Sequence, residues 1–297
     1  PVLWCPTDET ALAEAEVEYE DHTSPSIYVK FPFQKTPQEL SREGRPGISF
    51  PPDVRRVSLV IWTTTPWTLP ANQAVCVHPD FTYAFLKVGD EVLVVAQDRL
   101  EQVRADCGFG PDSGILEGKV PTGAEFHGLL CLRPFSPATS PVLLGDFVTK
   151  DQGTGCVHIA PGHGQEDYEL AVRYNSEPQY RSVLSQHLDV LAPVDSRGRF
   201  TDEVPEFQGL KVLDANPRIN EKLKVLGLLL GEGKLVHSYP HCWRCKHPVI
   251  FRATDQWFVS MTTNELRGKA LEQIDQVQWI PRWGRERIQG MIQNRPD

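Results

Sequence analysis

Apolar residues along this 297-residue chain recur mostly in short runs of strand length. Residues 57–62 (VSLVIW) form a continuous apolar run rich in β-branched side chains, which predicts a buried strand ending at the threonines that follow. Residues 82–88 and 91–96 are two further runs, separated only by Gly89 and Asp90. A two-residue Gly-Asp linker suits a tight turn, so the pattern predicts a β-hairpin here.

The remaining pattern predicts more short strands and only a few helices. Strands are expected at residues 114–120, 142–148 and 155–159, and helices at residues 98–106 and 165–174. A further helix is expected after Asp214, which is placed to cap it. Many short strands with few helices are typical of a barrel-like β core decorated by helices. The predicted fold class is therefore mainly β with α decorations.

Three segments have a less regular pattern. Residues 11–20 are rich in alanine and glutamate, as in a helix, but Val17 and Tyr19 begin an alternation that favours strands on either side of a turn at residues 22–26. Residues 34–53 are polar and contain prolines, which predicts a surface loop. Residues 176–187 show no clear period, and we expect a surface insertion there.

Composition and charge narrow the classes of protein to consider. Hydrophobic residues make up 40% and charged residues 23%, which is the balance of a soluble globular protein, and no apolar run is long enough to cross a bilayer. The N-terminal residues show neither a secretory signal nor a transit peptide. Seven scattered cysteines predict a reducing, cytoplasmic setting without a disulfide framework. A net charge of −9 means that any contact with RNA must be local.

The first segment with chemical potential is residues 62–72 (WTTTPWTLPAN), which follows the predicted buried strand. It presents three consecutive hydroxyls, and two prolines fix the backbone beyond them. Hydroxyls in this place can hydrogen-bond a substrate. A bare threonine triplet is more often a simple strand end, but the full string is harder to explain in that way.

The second segment is residues 153–168 (GTGCVHIAPGHGQEDY), in which glycines flank a short strand and a polar turn precedes a helix. Small residues allow a ligand to approach the backbone closely. His158 alone would more often be an ordinary core histidine, and Asp167 alone a solvated carboxylate at a helix start. Facing one pocket together, they predict a site in which the carboxylate binds an ammonium group.

Both segments closely resemble the inserted editing (CP1) domain of isoleucyl-tRNA synthetases. The resemblance continues through residues 238–245 (SYPHCWRC) and 251–261 (FRATDQWFVSM), so it covers nearly the whole chain. It implies a hydrolase that deacylates valyl-tRNA bearing the isoleucine anticodon, with the charged 3′ end of the tRNA and a host catalytic domain in cis as partners. The motifs His-Ile-Gly-His and Lys-Met-Ser-Lys-Ser of the aminoacylation site are absent from the sequence, so we do not expect this chain to charge tRNA.

The resemblance also implies roles for individual residues. Those implied to hold the terminal adenosine, the ester and the attacking water are Thr63, Thr64, Thr65 and Asn72. Those implied to bind the rest of the substrate are His158 and Thr68, which border the side-chain pocket, and Trp62, Gly162 and His163. Asp167 is implied to bind the α-ammonium group of the substrate.

An editing pocket is needed because the pocket that selects isoleucine for attachment discriminates poorly against the smaller valine. One methylene separates isoleucine from valine, and a hydrophobic pocket gains only about 1–3 kcal/mol from it, for which this pair of amino acids is the standard example. A second pocket that is too small for isoleucine hydrolyses what fits. No Ser-His-Asp or Cys-His arrangement is recognisable, and because an aminoacyl ester is already activated, positioning a water is expected to be enough.

Cysteines near both ends of the chain predict a metal ribbon. Cys5 lies near one end and the Cys242-x-x-Cys245 pair near the other, as expected for the base of an inserted domain. The family usually has a second cysteine where this chain has Asp8. A Cys3Asp site for structural zinc is chemically sound, but the change could equally mean that the site is lost, and ordinary buried thiols remain the alternative. Two nearby histidines are further candidate ligands: His241 and His247.

The resemblance implies four parts: an N-terminal arm and ribbon base at residues 1–32, an editing core at 33–231, a returning zinc-ribbon arm at 232–260, and the start of the host catalytic domain at 261–297. We expect the chain by itself to be a monomer that needs no cofactor for hydrolysis. The alternative function is a noncatalytic zinc-ribbon module that binds RNA or serves as a scaffold, and deacylation activity discriminates between the two.

Overall fold

The computed structural model describes residues 1–110, 113–257 and 259–295. They form two compact units, Pro1–Ala253 and Thr254–Asp297. The strands of the larger unit are β1 (Val2–Cys5), β2 (Thr10–Leu12), β3 (Val17–Pro32), β4 (Arg56–Thr63), β5 (Ala74–Val77), β6 (Tyr83–Val88), β7 (Glu91–Ala96), β8 (Gly114–Ile115), β9 (Leu130–Leu132), β10 (Thr139–Leu144), β11 (Cys156–Ile159), β12 (Leu229–Cys242) and β13 (Ile250–Arg252). Its helices are α1 (Pro37–Arg42), α2 (Leu100–Asp106), α3 (Gln165–Ser176), α4 (Pro178–Arg181) and α5 (Val212–Val225).

The strands pair into three sheets, with the orders β13-β1-β2, β11-β5-β10-β9 and β12-β3-β4-β7-β6-β8. Pairing is mostly antiparallel, but β4 runs parallel to β7 and β5 runs parallel to β10. The predicted class, mainly β with helical decorations, is confirmed. The barrel-like shape is not, because these orders describe open sheets and no closed barrel is present among the described residues.

The central strand β4 explains why its sequence is apolar without a break. Val57, Leu59 and Ile61 pack into the main core, which also contains side chains of β3 and β7. Val60 points to the other face, into a second cluster that includes Val103 of α2. A strand covered on both faces has no solvent side, so it loses the alternation of a surface strand. Each fully buried Val, Leu or Ile contributes about 1.5–3 kcal/mol to stability.

The predicted hairpin is confirmed by the pairing of β6 with β7, in which Val88 lies opposite Glu91. Gly89 has a φ of +61°, a left-handed conformation that the turn requires and that glycine adopts without strain. The helix predicted at residues 165–174 is also confirmed, as α3.

Three other predictions were wrong. Residues 22–26 form no turn, because β3 runs through them and pairs throughout with β12. The segment at residues 34–53 is not only a loop: it contains α1, which begins with a capping box between Thr36 and Glu39 and buries Leu40. Asp214 does not cap α5, since it lies within the first turn and Lys211 is the N-cap residue.

The smaller unit contains the helices α6 (Leu266–Gln276) and α7 (Gly284–Gln293). The Arg285 guanidinium at the start of α7 forms an ion pair of 2.6 Å with Asp275 of α6. Across the described parts of both units, no helix is long and apolar enough to cross a membrane.

Candidate functional site

A small pocket of about 180 Å³ lies where β4 ends, beside β11. Residues of both predicted segments line it, and their side chains include hydroxyl, imidazole and carboxylate groups. The lining residues are Trp62, Thr63, Thr65, Thr68, Val157, His158, Ala160, His163 and Asp167. A larger cavity of about 490 Å³ lies elsewhere in the same unit, with Pro6 and Arg197 among its lining residues. We take the smaller pocket as the candidate site, because convergent polar groups with shifted pKa values mark function better than volume does.

The threonine side of the pocket is shaped by the end of β4. The Thr65 backbone N–H donates to Thr63 Oγ1 at 3.0 Å, and the two side-chain hydroxyls lie 3.2 Å apart. Pro66 then begins a short 3-10 turn, Pro66–Ala71, which carries Thr68 back towards the pocket. Thr64, which lies between the two lining threonines, is only partly buried and is not part of the lining that the described residues form.

His158 forms one wall of the pocket, and both of its ring nitrogens have partners. Nε2 lies 2.8 Å from the Thr68 hydroxyl, and Nδ1 lies 3.0 Å from Asn72 Nδ2. Burial lowers the pKa of His158 to about 3, and the nearby His163 lowers it as well. His158 is therefore a neutral imidazole whose two nitrogens are both occupied, and it has no free nitrogen for acid–base chemistry.

Asp167 supplies the carboxylate of the pocket from the first turn of α3. Its Oδ2 accepts a hydrogen bond of 2.8 Å from the Ala160 N–H. Burial raises the pKa of Asp167 to about 6, although the Ala160 bond lowers the pKa; the nearby Glu166 charge adds to the rise. Among the described residues Ala160 is the only donor to this carboxylate, so most of its lone pairs are available to a ligand.

His163 lines the pocket as a second neutral imidazole. Nδ1 lies 2.9 Å from the carbonyl oxygen of Phe251, and because a carbonyl only accepts, Nδ1 carries the proton. Nε2 is buried and has no hydrogen-bond partner in the part of the chain that the structure describes. Burial lowers the pKa of His163 to about 4, and the Trp67 ring lies across the imidazole in a T-shaped arrangement at 4.8 Å between centroids.

The three remaining predicted residues have mainly structural contacts. Trp62 lines the pocket, and its Nε1–H donates to the Ser26 hydroxyl at 2.7 Å, which fixes the ring. Gly162 lies outside the described lining: a Cβ there would be 2.1 Å from the carbonyl oxygen of Leu191, so close packing requires glycine. Asn72 also lies outside the lining, behind His158, with only 1% of its surface exposed.

Sequence reasoning missed two residues that support the pocket from behind. The Ser140 hydroxyl, fully buried in β10, donates to Asn72 Oδ1 at 2.5 Å. Arg133 Nε in turn donates to the Ser140 hydroxyl at 3.1 Å. The only signal in the sequence is a serine within a mostly apolar strand, which does not reveal its partner 68 residues away.

A second cluster, at the base of the larger unit, brings together the four predicted metal ligands. The ligand atoms of Cys5, Asp8, Cys242 and Cys245 all lie within 4.8 Å of one another and could hold a metal ion. Cys5 Sγ is 3.4 Å from Cys245 Sγ, and Cys242 Sγ is 3.3 Å from Asp8 Oδ2. Tetrahedral zinc with sulfur ligands at about 2.3 Å places them about 3.8 Å apart, so these residues fit such an ion after small shifts. The other candidate ligands, His241 and His247, lie outside this group.

The chain is similar in sequence to known class I tRNA synthetases. The model of the class I tRNA synthetases (I, L, M and V) matches residues 1–297. The chain is 50% identical over 297 residues to the isoleucine–tRNA ligase of Fervidobacterium pennivorans and 52% identical over 303 residues to that of Geobacter sulfurreducens. Both alignments include 100% of this chain but only 29% and 30% of the relatives, so the chain spans less than a third of their length.

The fold also has a counterpart among solved structures. The crystal structure of the P. knowlesi cytosolic leucyl-tRNA synthetase editing domain superimposes with a TM-score of 0.54 at 11% identity, over 77% of this chain and 99% of that one. At this identity the likeness concerns the fold alone. The family match shows that the chain belongs to the class I tRNA synthetase family (I, L, M and V), and the superposition shows that it has the fold of a synthetase editing domain.

Proposed function

We propose that this chain hydrolyses the ester bond between valine and the 3′ end of a tRNA that bears the isoleucine anticodon. The observation that carries the proposal is the pocket itself. It combines a carboxylate with free lone pairs, Asp167, with the hydroxyls of Thr63 and Thr65 and with a wall of Thr68 and His158. These are the groups needed to bind an α-ammonium, hold an ester and limit the size of a side chain.

Asp167 would bind the α-ammonium group that every aminoacyl ester presents. Its raised pKa shows that the pocket holds the negative charge at a cost, because burial disfavours the ionised form. An ammonium partner removes that cost, and a charge-assisted hydrogen bond is about twice as strong as a neutral one. The binding is thus independent of the amino-acid side chain.

The threonine hydroxyls would position the ester and the attacking water. Water adds to the carbonyl carbon, the ester C–O bond breaks, and the ribose oxygen leaves with a proton from the water. His158 takes no proton in this scheme, because both of its nitrogens are engaged. Holding a water close to an activated ester supplies much of the rate, and the neighbouring ribose hydroxyl of the tRNA assists the proton transfer.

The dimensions of the pocket support selection by size. The pocket is small, with a volume of about 180 Å³, which suits a small side chain with its ammonium group. Thr68 and His158 are 6% and 8% exposed and are hydrogen-bonded to each other, so this wall cannot move without breaking a buried contact. An extra methylene would press against it.

The cluster of Cys5, Asp8, Cys242 and Cys245 would hold a structural zinc ion that joins the two arms at the base. Zinc would supply cross-linking there and takes no part in hydrolysis. Elemental analysis of purified protein should find about one equivalent of zinc, since structural sites are four-coordinate. Metal-free protein with undiminished stability would rule out this assignment and leave the hydrolase proposal intact.

The partners of the site would be the charged 3′ end of the tRNA and the rest of a synthetase in cis. The relatives are more than three times as long as this chain, which supports a host that binds the body of the tRNA. We also propose a monomer in the cytoplasm, where the thiols of its seven free cysteines stay reduced.

The test is to incubate the purified chain with valyl-tRNA and isoleucyl-tRNA that carry the same isoleucine anticodon. We expect valine to be released faster than the uncatalysed rate and isoleucine to be retained. A chimera in which this chain replaces its counterpart in the Geobacter sulfurreducens enzyme adds the rest of a synthetase. The same measurement is then made on the chimera. Binding of tRNA without hydrolysis in the chimera would contradict the proposal and favour the noncatalytic module.

A further inference from the structure

We propose that Asn72 acts on the reaction through His158, as a positioning residue that fixes which ring nitrogen carries the proton. Ser140 and Arg133 complete the device, because they hold Asn72 in the orientation that this requires. The inference rests on the proposed function, and it gives Asn72 a role different from contact with the ester or the water.

The orientation of the Asn72 amide follows from its neighbours. Nδ2 faces two backbone carbonyl oxygens, that of Ala74 at 2.8 Å and that of Ile159 at 3.5 Å. Oδ1 faces the Ser140 hydroxyl at 2.5 Å. Carbonyls accept and a hydroxyl can donate, so a flipped amide would place oxygen against oxygen. The amide is therefore held with its donor side towards His158.

That orientation determines the state of the imidazole. Because Asn72 Nδ2 only donates, His158 Nδ1 accepts, and the ring proton lies on Nε2. The Nε2–H then donates to the Thr68 hydroxyl, whose own hydrogen goes to the Thr65 carbonyl oxygen at 2.9 Å. One amide thus sets the direction of every hydrogen bond between the back of the pocket and its threonine wall.

At its other end, the series of hydrogen bonds starts from the cation of Arg133. Arg133 has donors only, and its Nε points at both the Ser140 hydroxyl and the Thr139 carbonyl oxygen at 3.1 Å. Its Nη2 donates to the Gln73 carbonyl oxygen at 3.2 Å. The Ser140 oxygen therefore accepts from the guanidinium, and its hydrogen is left for Asn72. A permanent charge fixes the first link, so the whole series has a single direction.

A single direction matters because these groups are buried. Asn72 is 1% exposed and Ser140 is fully buried, so a reversed link would leave a donor or an acceptor without water to replace its partner. The pocket wall formed by Thr68 and His158 is then held in one arrangement. Displacements of about 1 Å in such a wall can change rates about 100-fold.

The experiment is nitrogen-15 NMR of the imidazole rings, which distinguishes the two neutral tautomers and the cation. Spectra of the wild-type chain and of His158→Gln identify the His158 signals among the nine histidines. We expect a neutral ring with the proton on Nε2 throughout pH 5–8. A proton on Nδ1, or a charged ring at pH 7, would overturn the inference whether or not the chain hydrolyses any ester.

Asn72→Asp tests the device without changing the shape of the side chain, because it replaces the amide donor that faces His158 and the Ala74 carbonyl by a carboxylate oxygen. A carboxylate oxygen accepts where the amide donated, so we expect the proton to move to Nδ1 and the ring to titrate within pH 5–8. Deacylation of valyl-tRNA should fall about 10- to 100-fold. A folded variant with an unchanged imidazole spectrum would overturn the assignment, as would a changed spectrum with normal rate and discrimination.

Ser140→Ala is a milder variant in case the buried carboxylate prevents folding. It leaves Asn72 Oδ1 without its donor, and we expect altered His158 signals and a several-fold loss of discrimination between valyl- and isoleucyl-tRNA. Ser58→Ala is the matched control, since Ser58 is equally buried on β4, a strand of a different sheet, and its hydroxyl has no partner in the described chain. Equal effects of the two variants would show that Ser140 has no positioning role.

Discussion

On one side of the pocket both ring nitrogens of His158 are hydrogen-bonded, whereas on the other side the Asp167 carboxylate receives one backbone N–H from the described residues. The first side is neutral and fully paired, so it keeps its shape without a ligand. The second side has unused hydrogen-bonding capacity and a charge that burial disfavours. The difference fits the proposed division of labour, in which the paired side would limit size and the unpaired side would bind the ammonium group.

The largest effect should come from removing the charge of Asp167. Asp167→Asn keeps an acceptor for the Ala160 N–H, so the fold should survive, but the substrate ammonium loses its partner. Leaving one charge of a desolvated pair alone costs roughly 2–5 kcal/mol, or ~30- to ~5,000-fold in kcat/KM for valyl-tRNA. The measurement is the deacylation rate at pH 7.5.

Glu166→Gln is the control for this variant, because it removes a neighbouring charge from an exposed side chain that is absent from the pocket lining. It should retain near-normal turnover. If the two variants were equally active, the unpaired side of the pocket would have no part in binding the ammonium.

The second effect is the pH dependence of kcat/KM, which reports the pKa values of the ionisable groups that the free enzyme needs for activity. With the pKa of Asp167 at about 6, the carboxylate is ionised above that pH and protonated below it. Activity should therefore fall about tenfold per pH unit below 6 and level off above it, until the substrate ammonium loses its proton near pH 8. The pKa values of His158 and His163, about 3 and 4, lie below this window.

Rates must be corrected for spontaneous ester hydrolysis at each pH. A flat profile from pH 5 to 7 would contradict the role of the carboxylate. In Asp167→Asn the inflection near pH 6 should be absent, which separates this group from any other that titrates nearby.

The smallest effect concerns the paired side. Thr68→Ser removes one methyl group from the wall but keeps the hydroxyl that bonds His158 and the Thr65 carbonyl. One methylene of space is worth about 1–3 kcal/mol, so hydrolysis of isoleucyl-tRNA should rise about tenfold or more while that of valyl-tRNA changes little. Unaltered discrimination would show that this wall does not limit size.

The sequence predicted features that depend on local pattern and missed those that depend on distant partners. The β4 strand, the β6–β7 hairpin and α3 follow from continuous apolar runs, a Gly-Asp turn and a helix start. The continuous β3 was not predictable in the same way, because it is stabilised by β12, some 200 residues further along the chain. The start of α1 has a signal in the sequence, the capping box of Thr36 and Glu39, although the polar composition around it favours a loop.

The same distinction applies to the candidate site. Its two segments are recognisable as strings, and the structure brings Thr63, His158 and Asp167 to one pocket. The position of Asn72 behind His158 depends on how β5, β10 and β11 pack, which no local pattern encodes. The sequence thus predicted which segments meet. The direction of the hydrogen bonds between them could be read only from the folded structure.

An altered substrate can test whether Asp167 recognises the α-ammonium group. The measurement compares valyl-tRNA with the ester of 2-hydroxyisovalerate, in which a hydroxyl replaces the amine, on the wild-type chain and on Asp167→Asn. From this role of Asp167 we expect the wild type to hydrolyse the hydroxy ester ~30-fold or more slowly than the valyl ester, and Asp167→Asn to treat the two almost alike. An equal preference for the amine in both proteins would contradict it.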